Sequence, residues 1–201
     1  MTRIIAGIAG SLTLEVPGAG TRPTSDRVRE SLFAALDAAD LLRDAAVLDL
    51  YAGSGALGLE AASRGAASVH LVERAPAAAR IARRNATKVA KALGTTALGT
   101  DATLHVHATA VRAYLHGVPG PFDLVLVDPP YDLSEVELTA VLDALAPALS
   151  PDATVIVERA SRSPRPELPA GLEHVRDRRY GDTTMWWARP GDQPVAASQS
   201  R

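Results

Sequence analysis

Short apolar segments alternate with helix-forming segments along most of the chain, and this alternation limits the possible fold more than any other feature. Apolar strands that lack polar alternation are typical of parallel sheets, in which both faces are buried. Because helices connect such strands, the sequence predicts an α/β fold, a parallel sheet with helices on both faces. One helix should open at Ser134, which forms a capping-box pattern with Glu137, and run to about Leu149. The apolar segments are residues 45–50, 68–72, 104–107, 122–127 and 154–158.

The two ends of the chain depart from this alternation. Each end carries two strand-like segments separated by a turn that contains glycine, which predicts a β-hairpin. The polar residues after Pro190 predict a disordered tail. The strand-like segments are residues 3–6 and 11–16 at the amino end, and 173–179 and 183–189 at the carboxyl end. The resulting division is a hairpin extension at 1–20, a main domain at 21–189 and a tail at 190–201.

The composition of the 201 residues fits one globular domain and excludes several classes of protein. The hydrophobic fraction is 47% and the charged fraction 22%, both ordinary for a soluble domain. The formal net charge of −2 argues against general electropositive binding of nucleic acid, so any such contact must be local. The chain has no cysteine, which excludes disulfides, thiolate nucleophiles and cysteine-ligated metals. We expect a cytoplasmic protein, because the sequence contains neither a signal peptide nor an apolar run of membrane-spanning length.

A glycine-rich loop follows the first predicted strand of the main domain. Gly53, Gly55 and Gly58 form the pattern G-x-G-x-x-G between a strand and a helix. In that position the backbone can approach a ligand closely and the helix presents free N–H groups. Glu73 ends the next predicted strand and can accept hydrogen bonds from the hydroxyls of a ribose. The loop is therefore predicted to bind a cofactor that contains a nucleoside.

The identity of that cofactor depends on Asp49, which precedes the loop. A dinucleotide would place its pyrophosphate at the start of the following helix, where a nearby carboxylate is unfavourable. S-adenosylmethionine (SAM) instead carries cationic groups, which a carboxylate attracts. Asp49 therefore favours SAM, while an NAD-dependent dehydrogenase stays open as an alternative.

A second motif, Asp128-Pro129-Pro130-Tyr131, follows the apolar segment 122–127. Ligands of open parallel sheets bind at the carboxyl ends of the strands, where this tetrad stands. The prolines remove N–H donors, so the Asp128 carboxylate and the Pro129 carbonyl can both accept hydrogens from one exocyclic amino group. These hydrogen bonds favour a more tetrahedral nitrogen with its lone pair aimed at a methyl group, and Tyr131 can stack on the base. The tetrad therefore predicts methyl transfer to an exocyclic amine.

Together the motifs resemble those of class I SAM-dependent methyltransferases that modify exocyclic amino groups. The chain is most similar to the bacterial family that methylates guanine N2 in 16S ribosomal RNA, the RsmD type. This resemblance implies a Rossmann-like, seven-stranded, mainly parallel sheet with an N-terminal hairpin, and direct methyl transfer to a flipped guanine. It spans roughly residues 3–189, and Tyr180-Gly181-Asp182-Thr183 resembles the family's ending. The three segments that carry it are 22–33, 47–65 and 123–131.

The resemblance also implies which residues form the site. The chain departs from the family at Thr109, where the family commonly has an acid near the adenine amino group of the cofactor. Thr109 or the backbone of Ala110 would then accept the hydrogen bond from adenine. The implied catalytic residues are Asp128, Pro129, Pro130 and Tyr131. The implied cofactor-binding residues are Asp49, Tyr51, Gly53, Ser54, Gly55, Gly58, Glu73, Arg74, Thr109 and Ala110. The implied substrate-binding residues are Arg22, Arg27, Arg29 and Tyr131.

The expected partner is 16S ribosomal RNA in an assembling small subunit. The protein is expected to act as a monomer and not to bind a membrane. No metal is expected, because His105 and His107 share one face of a strand but lack a third ligand. A pI near 6.2 favours a folded or protein-bearing substrate over short naked RNA. The alternatives are a methyltransferase for adenine N6 in DNA or for a glutamine amide in protein, the dehydrogenase, and a non-catalytic RNA-binding protein.

Overall fold

The computed structural model describes residues 2–18, 26–94, 103–117 and 120–191, which form five α-helices and nine strands. The two short amino-terminal strands pair with each other, and the other seven strands form one sheet. The strands are β1 (Thr2–Arg3), β2 (Thr13–Leu14), β3 (Ala46–Leu50), β4 (Ser68–Val72), β5 (Thr103–His107), β6 (Phe122–Val127), β7 (Leu149–Ala160), β8 (Leu172–Tyr180) and β9 (Thr183–Pro190). The helices are α1 (Asp26–Ala38), α2 (Ala56–Ser63), α3 (Pro76–Gly94), α4 (Val111–Leu115) and α5 (Glu135–Leu145).

The large sheet has the strand order β5-β4-β3-β6-β7-β9-β8. Its first five strands are parallel, while β9 runs antiparallel to both β7 and β8. The order reverses direction at β3, since β4 lies on one side of it and β6 on the other. Such a switch point opens a crevice at the carboxyl ends of the strands. The predicted α/β fold, with its seven-stranded, mainly parallel sheet and separate hairpin, is confirmed.

Helices cover both faces of the sheet, as the unbroken apolar strands predict. Val47 and Leu48 are both fully buried, yet they belong to separate apolar clusters because successive side chains of a strand point to opposite faces. The cluster around Val47 includes residues of α1, α2 and α3, and the cluster around Leu48 includes residues of α4 and α5. This two-sided burial is the reason why β3 needs no polar alternation.

The amino-terminal hairpin has shorter strands than the sequence predicts. The backbone N–H groups of Ile5 and Ala6 do not continue a ladder; they donate to the Glu60 carboxylate on α2, at 2.6 and 3.0 Å. Gly7 lies so close to α2 that a β-carbon there would stand 1.9 Å from the Ser63 carbonyl oxygen. The residues between β1 and β2 thus form a turn docked on α2.

The segment from α5 to β7 also differs from the prediction. The capping box of Ser134 and Glu137 is present, but α5 ends at Leu145 and a 3₁₀ turn follows at Ala146–Ala148. Pro147 cannot donate a backbone hydrogen bond, which accounts for the early end of the helix. Strand β7 then starts at Leu149 and continues to Ala160, beyond both ends of the predicted strand.

Several expectations fall on residues outside the described ranges. They include the disordered tail from 192 onward, most of the loop at 21–26 and Arg22. The division into extension, main domain and tail stays a prediction. Among the helices of the described ranges, none has the length and apolar character that crossing a membrane requires.

Candidate active site

A cavity of about 580 Å³ lies at the carboxyl ends of β3, β4, β6 and β7. Its position is the crevice that the reversal of strand order creates, and its volume is in the range of small-molecule sites. Both sequence motifs therefore contribute to one cavity. The predicted site residues that line it are Asp49, Tyr51, Gly53, Ser54, Glu73, Arg74, Asp128, Pro129, Pro130 and Tyr131, together with Arg29.

The glycine loop makes a tight connection between β3 and α2. Gly55 is the N-cap of α2 and has a φ of 81°, a conformation that glycine adopts without steric cost. Gly58 packs against β4, and a β-carbon there would stand 2.4 Å from Cδ2 of Leu71. These two glycines frame the loop without lining the cavity, while Gly53 and Ser54 form part of its wall.

Asp49 is buried at the base of the cavity, with 1% of its surface exposed. Its Oδ2 accepts a 2.9 Å hydrogen bond from the Gly58 N–H, whereas Oδ1 has no hydrogen-bond partner among the described residues. Burial, with smaller contributions from Asp128 and Glu73, raises the pKa of Asp49 to about 7. A buried carboxylate with one unpartnered oxygen in a cavity wall fits a cationic ligand, because a positive charge would offset its desolvation.

Glu73 follows β4 and is held by the backbone on both sides. Its Oε2 accepts a hydrogen bond from the Gly53 N–H at 2.9 Å, and its Oε1 accepts one from the Ala75 N–H at 2.7 Å. Each carboxylate oxygen can accept more than one hydrogen bond, so both oxygens keep acceptor capacity for the two hydroxyls of a ribose. The loop thus fixes the orientation of Glu73 before any ligand binds.

The tetrad presents its side chains at the other side of the cavity. Asp128 is half-buried and Pro129 buried, whereas Tyr131 is 61% exposed. The Pro130 carbonyl accepts a 3.0 Å hydrogen bond from the Leu133 N–H, which closes a turn directly after the tetrad. The exposed Tyr131 ring beside a carboxylate offers a stacking surface to a flat group that enters from solvent.

Two residues at the end of β7 complete this side of the cavity, and the sequence interpretation missed both. Glu158 is 8% exposed and lines the cavity next to the tetrad. Arg159 is 7% exposed, donates to the Leu133 carbonyl at 3.1 Å and pairs with Glu135, so it holds the turn after the tetrad. A signal was present, because these two charged residues directly follow the apolar run 155–157 at the edge of the sheet where ligands bind.

The structure does not bring all predicted site residues to the cavity. Thr109 and Ala110 are absent from its described walls, where their neighbour Val111 lies instead. Arg27 is exposed on α1. Arg29, expected to bind substrate, does line the cavity, but it is 1% exposed and donates to the Arg3 carbonyl, Thr2 and Asp26. A guanidinium held by these internal partners stabilises the junction of the hairpin and α1, and its role toward the substrate stays a prediction.

The two histidines of β5 are joined by a third from the neighbouring strand. The His70 ring lies 4.7 Å from that of His105 and 5.2 Å from that of His107, measured between centroids. His70 Nδ1 also lies 2.7 Å from the hydroxyl of Tyr114. Burial and the neighbouring imidazoles lower the pKa of His70 to about 4. In the part of the chain that the structure describes, no histidines and acids are arranged as a metal site.

Comparison with known proteins places this architecture in a family. Residues 2–189 match the family described as Conserved hypothetical protein 95. The chain is 36% identical over 180 residues to the protein of Escherichia coli K12 named Ribosomal RNA small subunit methyltransferase D, which covers 89% of this chain and 85% of that protein.

Solved structures agree with this assignment. The Escherichia coli protein yhhF superposes with a TM-score of 0.75 at 32% identity and covers 96% of this chain and 99% of its own. A more distant structural neighbour is the magnesium protoporphyrin IX methyltransferase of Synechocystis PCC 6803 with bound SAM, at 18% identity and a TM-score of 0.59. The superposition covers 86% of this chain and 87% of that one, and it shows the fold alone. The chain therefore belongs to the Conserved hypothetical protein 95 family, the RsmD-type methyltransferases of the class I fold.

Proposed function

We propose that the protein transfers a methyl group from SAM to the exocyclic N2 of a guanine in 16S ribosomal RNA. One observation carries the proposal: a buried carboxylate suited to a cation, Asp49, and the amine-binding tetrad face the same cavity. The name of the Escherichia coli relative, which specifies small-subunit ribosomal RNA, supports the choice of substrate. A dehydrogenase would need the glycine loop but gives the tetrad no role.

The residues of the glycine loop fit the expected cofactor. When bound, SAM supplies a methyl group attached to a positively charged sulfur. The Asp49 carboxylate would face the cationic part of the molecule, and Glu73, already oriented by two backbone N–H groups, would accept hydrogen bonds from the ribose. Ser54 and Tyr51 contribute to the same wall of the cavity.

The tetrad prepares the acceptor nitrogen. The lone pair of a guanine amino group is delocalised into the ring, which makes it a poor nucleophile. If the Asp128 carboxylate and the Pro129 carbonyl accept its two hydrogens, the nitrogen becomes more tetrahedral and its lone pair turns toward the methyl group. Bound SAM would supply the methyl group to this nitrogen, and the methylated nitrogen would then lose one proton to solvent. Positioning is the main contribution of the protein.

The guanine must leave its stack to reach this position. Tyr131, exposed at the mouth of the cavity, would receive the flipped base by stacking on it. Because the net charge is −2, contacts other than phosphate must add to binding, which favours a folded or protein-bearing substrate such as an assembling small subunit. We further propose that the enzyme acts as a monomer in the cytoplasm, where that particle forms.

Mass spectrometry of 16S RNA tests the proposal most directly. RNA from a strain that lacks the gene should have lost one N2-methylguanine, and purified protein with SAM should restore it on small subunits from that strain. An unchanged set of modified nucleotides would refute the proposed substrate. Methylation of adenine or of a protein glutamine in parallel assays would favour the alternative acceptors. Calorimetry with SAM and NAD separates the cofactors, and binding of NAD alone would refute methyl transfer.

A further inference from the structure

Glu158 is a buried carboxylate in the cavity that neither the glycine loop nor the tetrad accounts for. It lies in β7, is 8% exposed and lines the same cavity as Asp128. Glutamate is seldom buried to this degree in proteins, and this one stands at the edge of the sheet where ligands bind. This position in the cavity wall allows Glu158 to contact a bound base.

The register of the sheet places Glu158 beside the tetrad. Val127 of β6 pairs with Val157 of β7 in a parallel ladder, so the next residues, Asp128 and Glu158, follow on adjacent strands. Adjacent strands lie about 4.8 Å apart, and residues in register share a face of the sheet. The two carboxylates are therefore neighbours across one strand spacing, and both contribute to the cavity wall.

Neighbouring strands contribute three acids to the cavity, with Asp49 two residues deeper because it pairs with Leu126. The consecutive strands β3, β6 and β7 contribute Asp49, Asp128 and Glu158 to the cavity. Asp49 lies nearest the glycine loop, on the side that suits the cofactor, and it accepts a hydrogen bond from that loop. Glu158 lies on the opposite side of Asp128, away from the glycine loop. A base whose amino group is held at Asp128 would extend its ring toward this side.

The chemistry of guanine matches such an acid. The guanine ring carries an N1–H donor directly beside the amino group at C2, whereas adenine and 2-aminopurine present a lone pair at N1. A flipped guanine has lost its pairing partner, so its N1–H needs a new acceptor. A carboxylate next to the amine-binding group accepts that hydrogen and repels a ring nitrogen that carries a lone pair.

We propose that Glu158 accepts the N1–H of the target guanine and thereby selects guanine over bases that lack this hydrogen. The inference rests on the proposed function and adds to it the residue that determines the base. Pairing of a buried acceptor with a base hydrogen discriminates between bases, because a base with a lone pair at N1 has no hydrogen to donate there and is repelled by the carboxylate.

The test compares two acceptor bases in the wild-type protein and in two Glu158 variants. Small subunits are assembled with ligated 16S RNA that carries either guanosine or 2-aminopurine riboside at the methylated position. Wild-type protein, Glu158→Gln and Glu158→Asp are assayed for methyl incorporation, with SAM affinity measured by calorimetry. Asp152→Asn, an exposed carboxylate at the other end of β7, is the matched control.

The expected result is a change of selectivity. Glu158→Gln should lower kcat/KM on guanosine roughly 10- to 100-fold. It should also raise kcat/KM on 2-aminopurine, because an amide can donate to a lone pair. Glu158→Asp should lose activity on guanosine without gaining any on 2-aminopurine, since its carboxylate is one methylene shorter. SAM affinity should stay within about threefold in both variants, and Asp152→Asn should match the wild type.

The outcomes distinguish a failure of the role proposed for Glu158 from a failure of the proposed function. If Glu158 is only structural, kcat/KM falls equally on both bases and the ratio between them stays constant, which would overturn the inference. Unchanged kcat/KM on guanosine in both variants would overturn it too. If the wild-type protein forms no N2-methylguanine on the guanosine particles, the proposed function itself fails. Wild-type product together with a constant ratio leaves the proposed function intact and rejects only the role of Glu158.

Discussion

The two sides of the cavity are built differently. On the cofactor side, backbone N–H groups hold both carboxylates: Gly58 in α2 donates to Asp49, and Gly53 and Ala75 donate to Glu73. On the acceptor side, Tyr131 is largely exposed and the loop after it is held by the ion pair and carbonyl contact of Arg159. Backbone N–H groups orient the carboxylates of the first side, whereas the loop of the second side also depends on the side-chain contacts of Arg159.

This difference indicates how each ligand would be recognised. A small cofactor contributes few contacts, so its site benefits from groups that are oriented before binding. A large RNA brings its own binding surface and can order an exposed aromatic ring as it docks. We therefore expect substitutions on the cofactor side to change SAM affinity, and substitutions on the acceptor side to change turnover and RNA binding.

The largest effect is expected for Asp128→Ala. The variant removes the acceptor of an amino hydrogen, so methyl incorporation into small subunits should fall by roughly 10³-fold, as for other groups that act on the reacting centre. SAM affinity, measured by calorimetry, should stay within about threefold. Asp123→Ala at the amino end of the same strand is the control, because Asp123 bonds to the Ala46 N–H far from the cavity. Full activity of Asp128→Ala would remove the tetrad from the mechanism.

A smaller effect is expected for Glu73→Gln, and it should change SAM affinity where Asp128→Ala changes turnover. Replacement of the carboxylate weakens its hydrogen bonds to the ribose, which should raise the Kd for SAM roughly 10- to 100-fold. At saturating SAM, kcat should return to within a few-fold of the wild type, since Glu73 does not touch the acceptor. A loss of kcat with unchanged Kd would contradict the division between the two sides.

The pH dependence of SAM binding provides a third test. Because the pKa of Asp49 is raised from 3.8 to about 7, the folded protein keeps a proton that the unfolded chain loses between these values. The contribution of Asp49 to stability therefore falls as pH rises from about 4 to about 7, and is constant above that. Cationic SAM favours the ionised form of Asp49. SAM binding should therefore release a proton from Asp49 at pH 6 and none at pH 8.

Calorimetry in two buffers of different ionisation enthalpy measures that proton. SAM affinity should rise by up to about tenfold per pH unit below pH 7 and level off above it. Asp49→Asn should bind SAM more weakly and show neither proton release nor the pH dependence of affinity. Persistence of both in Asp49→Asn would assign them to another group.

Local sequence patterns predicted those features that depend on near neighbours. The glycine loop, the capping box at Ser134 and the tetrad each lie within a few residues, and each occurs where its pattern predicts. The burial of Arg29 depends on contacts between distant segments, which no local pattern encodes. The short hairpin strands have the same cause, because Glu60, more than 50 residues away, takes the N–H groups of Ile5 and Ala6.

The smallest effect, expected for Ser134→Ala, tests the side-chain support of the acceptor side. Ser134 accepts the Glu137 N–H and its own N–H is accepted by the Glu137 carboxylate, so the variant should lower the free energy of unfolding by about 1 kcal/mol, measured by urea denaturation. A less stable amino end of α5 should make the turn at Leu133 and the adjoining tetrad more mobile. KM for small subunits should then rise a few-fold, while SAM affinity stays unchanged. Glu135→Gln, which weakens the contact of Arg159 with the same turn, should raise KM in the same direction. If either variant instead weakened SAM binding with KM for the subunit unchanged, the two sides of the cavity would be one coupled unit, and the contrast between them would not hold.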